Sequence, residues 1–186
     1  MAVIVISGSG RAVGKTSIGC ALIASLTELR WLAIKVTPHF HGAPERLWEE
    51  LDRNSSKDTG RYLTAGARRS FLVSGSDDFR ATDLAIDARA HAEDCNAVLV
   101  ESNRILPADL ALFGEPTLSL AVLAGDPGNW KPSLARRVKS VDAVVVTQGF
   151  NYDSEDYKQT FSLAGAQWSS PELVEFARSR VILANS

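Results

Sequence analysis

The chain has 186 residues, 45% of them hydrophobic and 23% charged, with a formal net charge of −2. That length and composition suit one core-forming domain over residues 1–186. The dispersed positive charge speaks against broad nucleic-acid binding, which needs a concentrated basic face. No run approaches the ~18 apolar residues of a membrane span, so no membrane partner is expected. Two cysteines, Cys20 and Cys95, lie far apart and outside any CxxC. They read as buried thiols in a reducing, cytoplasmic setting rather than as ligands. The apolar N-terminus has no basic n-region and reads as a core strand, not a signal peptide.

In chain order, Val3 to Ile6 is a β-branched apolar run closed by Ser-Gly-Ser-Gly, the pattern of a buried parallel strand. Thr16 to Leu29 carries apolar residues at helical spacing. Trp31 to Val36 predicts a second strand, and 37–57 is polar and left unassigned. Asp58 to Ala67 predicts a short helix and Ser70 to Val73 a strand. Ala81 to Ala92 predicts a helix, and Ala97 to Val100 a strand ending on Glu101. Residues 102–116 are again unassigned. Thr117 to Ala124 predicts a strand before the turn cluster Gly125-Asp126-Pro127-Gly128. Ser133 to Lys139 predicts a helical turn, Asp142 to Thr147 a strand, and Glu172 to Arg178 a helix capped by Ser170-Pro171. Val181 to Leu183 reads as a last strand. Strands alternating with helices imply an α/β domain, a mostly parallel sheet with helices on both faces. Its ligand would bind at the strand ends.

The segment Gly8-Ser9-Gly10-Arg11-Ala12-Val13-Gly14-Lys15-Thr16-Ser17 follows a strand and opens a helix. That is the context of a phosphate-binding P-loop, although Ser9 stands where G-x-x-x-x-G-K-[ST] has glycine. Its small residues let backbone N–H groups curl inward around an anion. Lys15 is expected to reach the β- and γ-phosphates of a nucleoside triphosphate, GTP or ATP, and Thr16 to hold Mg²⁺. Arg11 could contact phosphate, a neighbouring acid or solvent. Magnesium takes oxygen ligands, and Glu101, at the end of an apolar strand, is the first candidate to supply one, directly or through water. Asp58 is the second candidate, with a helix N-cap as its alternative role. Ser102-Asn103 also look suited to a site. The pair His39 and His41 reads as surface or nucleotide-contacting groups rather than a metal site.

Four segments in order resemble the molybdopterin-guanine dinucleotide biosynthesis protein B family. They are the glycine loop, Ala33 to His41, Lys57 to Ala67, and Val100 to Asn103. The resemblance spans roughly residues 2–148. It implies a P-loop NTPase fold, GTP binding with slow hydrolysis, and a helper role in molybdenum cofactor maturation. It also implies a dimeric habit, catalytic or metal roles for Lys15, Thr16, Asp58 and Glu101, and a position for Lys35 and His39 near the nucleotide or a second ligand. The loop spacing is more similar to dethiobiotin synthetase, whose corresponding lysine, here Lys35, touches substrate. The Glu-Gly-Ala-Gly-Gly run of that family is replaced by Glu101-Ser102-Asn103-Arg104. The Asn-Lys-x-Asp of guanine readers is replaced by Thr147-Gln148-Gly149-Phe150. Two alternatives therefore stand beside the slow NTPase: an ATP-dependent small-molecule kinase or ligase, and a non-catalytic nucleotide-dependent adaptor.

Overall fold

A computed structural model describes residues 1–37, 46–75, 78–105, 117–125, 130, 132–135, 138–147 and 157–182. The elements are β1 (Ala2–Gly8), α1 (Lys15–Ser25), β2 (Trp31–Thr37), β3 (Arg46–Glu50), α2 (Asp58–Thr64), β4 (Arg69–Ser74), α3 (Asp78–Ala90), β5 (Ala97–Glu101), β6 (Thr117–Leu123), α4 (Pro132–Ala135), β7 (Ala143–Val146), β8 (Thr160–Ser162) and α5 (Pro171–Val181). They form one eight-stranded sheet of order β3-β4-β2-β5-β1-β6-β7-β8. Every pairing is parallel except that of β3 with β4.

β1 is buried along its whole length, so its alternating side chains divide between two cores. Ala2, Ile4 and Ile6 pack under α1, α2 and α5, against Ile18, Leu22, Tyr62, Leu173 and Ala177. Val3 and Val5 face the other way, toward Ala81, Leu84, Ala85 and Ala88 of α3. Further along the same sheet, Ala121, Leu123, Val144 and Val146 meet Leu134 and Val138. Helices therefore cover both faces. The parallel arrangement brings the C-terminal ends of β1, β2, β5, β6, β7 and β8 to one rim, with β1 in the interior of the order.

The structure departs from the sequence reading in four places. β3 lies inside the polar stretch 37–57. Its Leu47 and Glu49 alternate with Trp48 and Glu50, too few apolar residues to signal a strand. Its place comes instead from β4 and from the paired hydrogen bonds, 2.6 Å each, that Arg69 donates to Glu49. β8 has one core residue, Phe161, and is defined by pairing with β7. Val181 ends α5 instead of starting a strand: Leu173, Ala177 and Val181 recur at helical spacing and are all buried, so tertiary packing overrides β-branched propensity. α1 also stops earlier than its apolar pattern, at Ser25, where Leu26 N–H still bonds Leu22 O and the Trp31 indole donates to Leu26 O at 3.1 Å. Among the described residues, no helix is long and apolar enough to cross a membrane.

The last helix begins as its sequence suggests. Ser170 Oγ accepts from Leu173 N–H at 3.2 Å and Pro171 opens the first turn. Ser170→Ala is expected to lower stability by about 1 kcal/mol, read as a shift of the urea midpoint at unchanged slope.

Candidate functional site

The loop from Gly8 to Lys15 bends through two left-handed residues, Ala12 at φ 55° and Gly14 at φ 99°. An alanine held there costs energy that a favourable local arrangement has to offset. Left-handed residues set among right-handed ones give the kind of curvature from which anion-binding nests are built. Ser9 explains the missing glycine. Its N–H bonds Val122 O at 2.9 Å, while its hydroxyl donates to Ala124 O at 3.1 Å and accepts from Ala124 N–H at 3.0 Å. A serine thus ties the loop to the end of β6, as glycine could not. From the β5 side, the Asn103 side chain grips Gly8, accepting from its N–H at 2.8 Å and donating to its C=O at 3.1 Å.

Lys15 lies across the loop, its ammonium donating to Gly10 O at 2.6 Å. Gly8 is needed for that path, since a Cβ there would sit 2.9 Å from the Lys15 Cγ and Cδ atoms. Arg11 and Ala12 are exposed, and Val13 packs against the core beside α1. Ser17 Oγ accepts from Arg61 of α2 at 2.9 Å.

Below the loop lies a buried carboxylate. Glu101, 1% exposed, accepts from Thr16 Oγ1 at 2.7 Å and from Tyr62 OH at 2.5 Å, and its other oxygen pairs with the Lys35 ammonium. Burying a charge is costly unless it is paired and hydrogen-bonded, and these donors come from α1, α2 and β2. Lys35 also reaches Asp58 at 3.0 Å, and Arg61 stands 3.7 Å from the same carboxyl group. Burial raises the pKa of Asp58, but Lys35 and then Thr16 and Arg61 outweigh it, so its carboxyl titrates below the usual value. Asp58 is the first residue of α2 and Lys57 is the N-cap, so the capping alternative for Asp58 does not hold. Its side chain meets Lys35, Thr16 and Arg61.

Among the described residues no three His, Cys, Asp or Glu side chains cluster as a metal site. The donor set that does converge is the Thr16 hydroxyl with the Asp58 and Glu101 carboxylates, all hard oxygens. That set fits Mg²⁺, which keeps several waters and takes its remaining ligands from phosphate. The Lys35 ammonium already pairs with both carboxylates, so a divalent cation would share them with it. His39, His41, Gln148 and Phe150 lie outside the described residues. Cys20 is only partly buried and Cys95 is buried. Burial above all pushes each thiol up to about 11, which keeps both protonated at neutral pH.

Three contributors were not singled out in the sequence. Tyr62 falls within the Lys57 to Ala67 segment, and a tyrosine one turn after Asp58 is the signal that could have marked it. Thr147, in place of the guanine-reading asparagine, donates to Val13 O at 2.9 Å and supports the loop from β7. Trp168 lies against Gly14, where a Cβ would fall 2.3 Å from the Trp168 Cζ3 atom. No local pattern foretells that contact.

Two substitutions test this construction. Gly14→Ala combines left-handed strain with the Trp168 clash, and is expected to cost more than the ~1 kcal/mol typical of one strained residue, read by thermal denaturation. Tyr62 is the second. Burial first, then the Glu101 charge, holds its hydroxyl well above the ordinary value. The folded state therefore binds that proton more tightly than the unfolded chain. The stability this contributes is complete below about pH 10, the unfolded value, and is lost as pH rises toward the folded one. Tyr62→Phe should flatten the alkaline limb of a stability–pH curve and cost about 1.5–3 kcal/mol at neutral pH.

No protein-family model matches the chain, and no curated protein does. Among solved structures it is similar to the signal recognition particle receptor FtsY from Elizabethkingia anophelis, with a TM-score of 0.51 and 17% identity over 95% of this chain. A second structure of that receptor, in complex with GDP, aligns with a TM-score of 0.45 and 17% identity over 97% of this chain. The chain spans 64% of the first receptor chain and 63% of the second. At that identity the likeness is one of fold alone, and the second alignment is too loose to add to it. The fold is α/β, a mostly parallel sheet with helices on both faces, shared in outline with that receptor.

Proposed function

We infer that this chain binds a nucleoside triphosphate with magnesium over Gly8 to Ser17 and hydrolyses it slowly. The observation that carries the reading is the junction of loop and carboxylate. Lys15 and Thr16 open α1 beneath a curled backbone, and Thr16 is hydrogen-bonded at 2.7 Å to a glutamate that is 1% exposed.

Each residue then has a task. The loop amides and the α1 N-terminus receive phosphate oxygens. Lys15 exchanges Gly10 O for the β- and γ-phosphates. Thr16, Asp58 and Glu101 offer oxygens to the cation and its waters, and Lys35 keeps the carboxylates from repelling one another. Magnesium, when bound, neutralises charge on the phosphates. Catalysis of hydrolysis would come from positioning and charge neutralisation.

A finer reading is that this turnover serves molybdenum cofactor maturation, with GTP as the nucleotide and a homodimer as the working form. What supports it is the resemblance of four segments, whose residues Thr16, Lys35, Asp58, Tyr62 and Glu101 meet at one site. A second reading, a small-molecule kinase or ligase using ATP, is favoured by Lys35. That side chain is 20% exposed and reaches the rim beside the carboxylates, within range of a second substrate.

Calorimetry of GTP, ATP and their non-hydrolysable analogues with magnesium tests the core claim. Wild type should bind with micromolar or better affinity and Lys15→Ala should lose at least tenfold; equal, weak heats from both proteins would remove nucleotide binding altogether. A strong preference for ATP would favour the kinase or ligase. Glu101→Gln should weaken the magnesium dependence of binding, and an unchanged dependence would take Glu101 out of the site.

A further inference from the structure

We propose that Trp168 is a stacking platform for the base of the nucleotide, selecting purines by π-contact rather than by an Asn-Lys-x-Asp reader. The inference rests on the nucleotide reading above and adds the part of the ligand that reading leaves unplaced.

The direction of the ligand follows from the site. Thr16, Glu101, Lys35 and Asp58 gather on the β5–β2 side of the loop, because β5 and β2 follow β1 in that direction across the sheet. The terminal phosphate and its cation belong there. The nucleoside end of the same molecule must therefore leave toward the opposite side, over the ends of β6, β7 and β8.

Two contacts mark where that side meets the loop. Thr147, just past β7, donates to Val13 O at 2.9 Å. Trp168, in the connection from β8 to α5, lies against Gly14, the residue before Lys15. The connection is tethered at both ends. Leu163 N–H bonds Val146 O at 2.8 Å, and Ser170 caps α5 at 3.2 Å. Gly165, at φ 64°, provides the turn between them.

The indole touches Gly14 through its six-membered ring, and a Cβ there would lie 2.3, 3.0 and 3.3 Å from Cζ3, Cε3 and Cη2. The residue remains 36% exposed, so part of the indole is accessible to a ligand. An aromatic face held beside the start of a phosphate-binding helix suits a planar base. Stacking suits any base, and purines most, because they offer the larger π-surface. Thr147 donates its hydroxyl to the loop and has no amide, so the residue in the reader's place cannot supply the donor–acceptor pair of an asparagine.

The test compares magnesium complexes of GTP, ATP, CTP and inorganic tripolyphosphate on wild type, Trp168→Ala, Trp168→Phe and Lys15→Ala. Trp168→Ala is expected to weaken both purine nucleotides about tenfold, to narrow the gap between purines and CTP, and to weaken tripolyphosphate far less. Trp168→Phe should restore most of the loss. If Trp168→Ala weakens tripolyphosphate as much as GTP and ATP, the indole merely props the loop and the proposal is overturned. The proposal also fails if purine affinity is unaltered while tripolyphosphate still binds through Lys15. If wild type binds none of the four, and Lys15→Ala behaves the same, the nucleotide reading itself falls and takes this one with it. The Phe variant, with a thermal midpoint near wild type, separates a lost platform from a lost fold.

Discussion

A glutamate that is 1% exposed cannot keep its charge without donors, and much of this site is the set of donors that Glu101 requires. Thr16 comes from the first turn of α1, Tyr62 from the middle of α2 and Lys35 from the end of β2. Each contact also fixes the element that makes it. The carboxylate thereby sets where the glycine loop ends, how α2 lies over β2, and which direction Lys35 faces. Removing one donor would leave a buried charge underpaired, which is why the site and the fold share one vulnerability.

The loop itself is held from both flanks rather than by its own sequence. Asn103 fastens Gly8 from the β5 side, Ser9 fastens itself to the end of β6, and Thr147 fastens Val13 from β7. Trp168 closes the remaining side at Gly14. With the backbone braced in this way, the left-handed conformation of Ala12 is tolerated, since surrounding contacts over-determine it. A loop ordered before its ligand arrives loses little conformational entropy on binding.

Polarity across the rim follows from strand order. With β1 inside the sheet, β5 and β2 on one flank bring carboxylates and a lysine, whereas β6, β7 and β8 on the other bring backbone carbonyls, a threonine and an indole. A charged, partly aromatic ligand lying across the rim, as proposed, would meet different chemistry at its two ends.

Much of the frame was legible in the residues. Buried strands announce themselves by unbroken apolar runs such as Ala143 to Val146, and the turn through Gly14-Lys15-Thr16 into α1 was legible because backbone geometry there is local. The place of Glu101 at the end of β5 was legible too, since it stands where an apolar run stops. Tertiary structure alone decided the rest. β3 and β8 exist through pairing with neighbours distant in sequence, and Val181 is helical because its burial completes a stripe with Leu173 and Ala177. Whether Asp58 capped a helix or served a lysine depended on where β2 ended. Short-range patterns record backbone preference and burial; contacts such as Tyr62 with Glu101 or Trp168 with Gly14 join residues far apart in the chain, and only the packed sheet and helices bring them within reach.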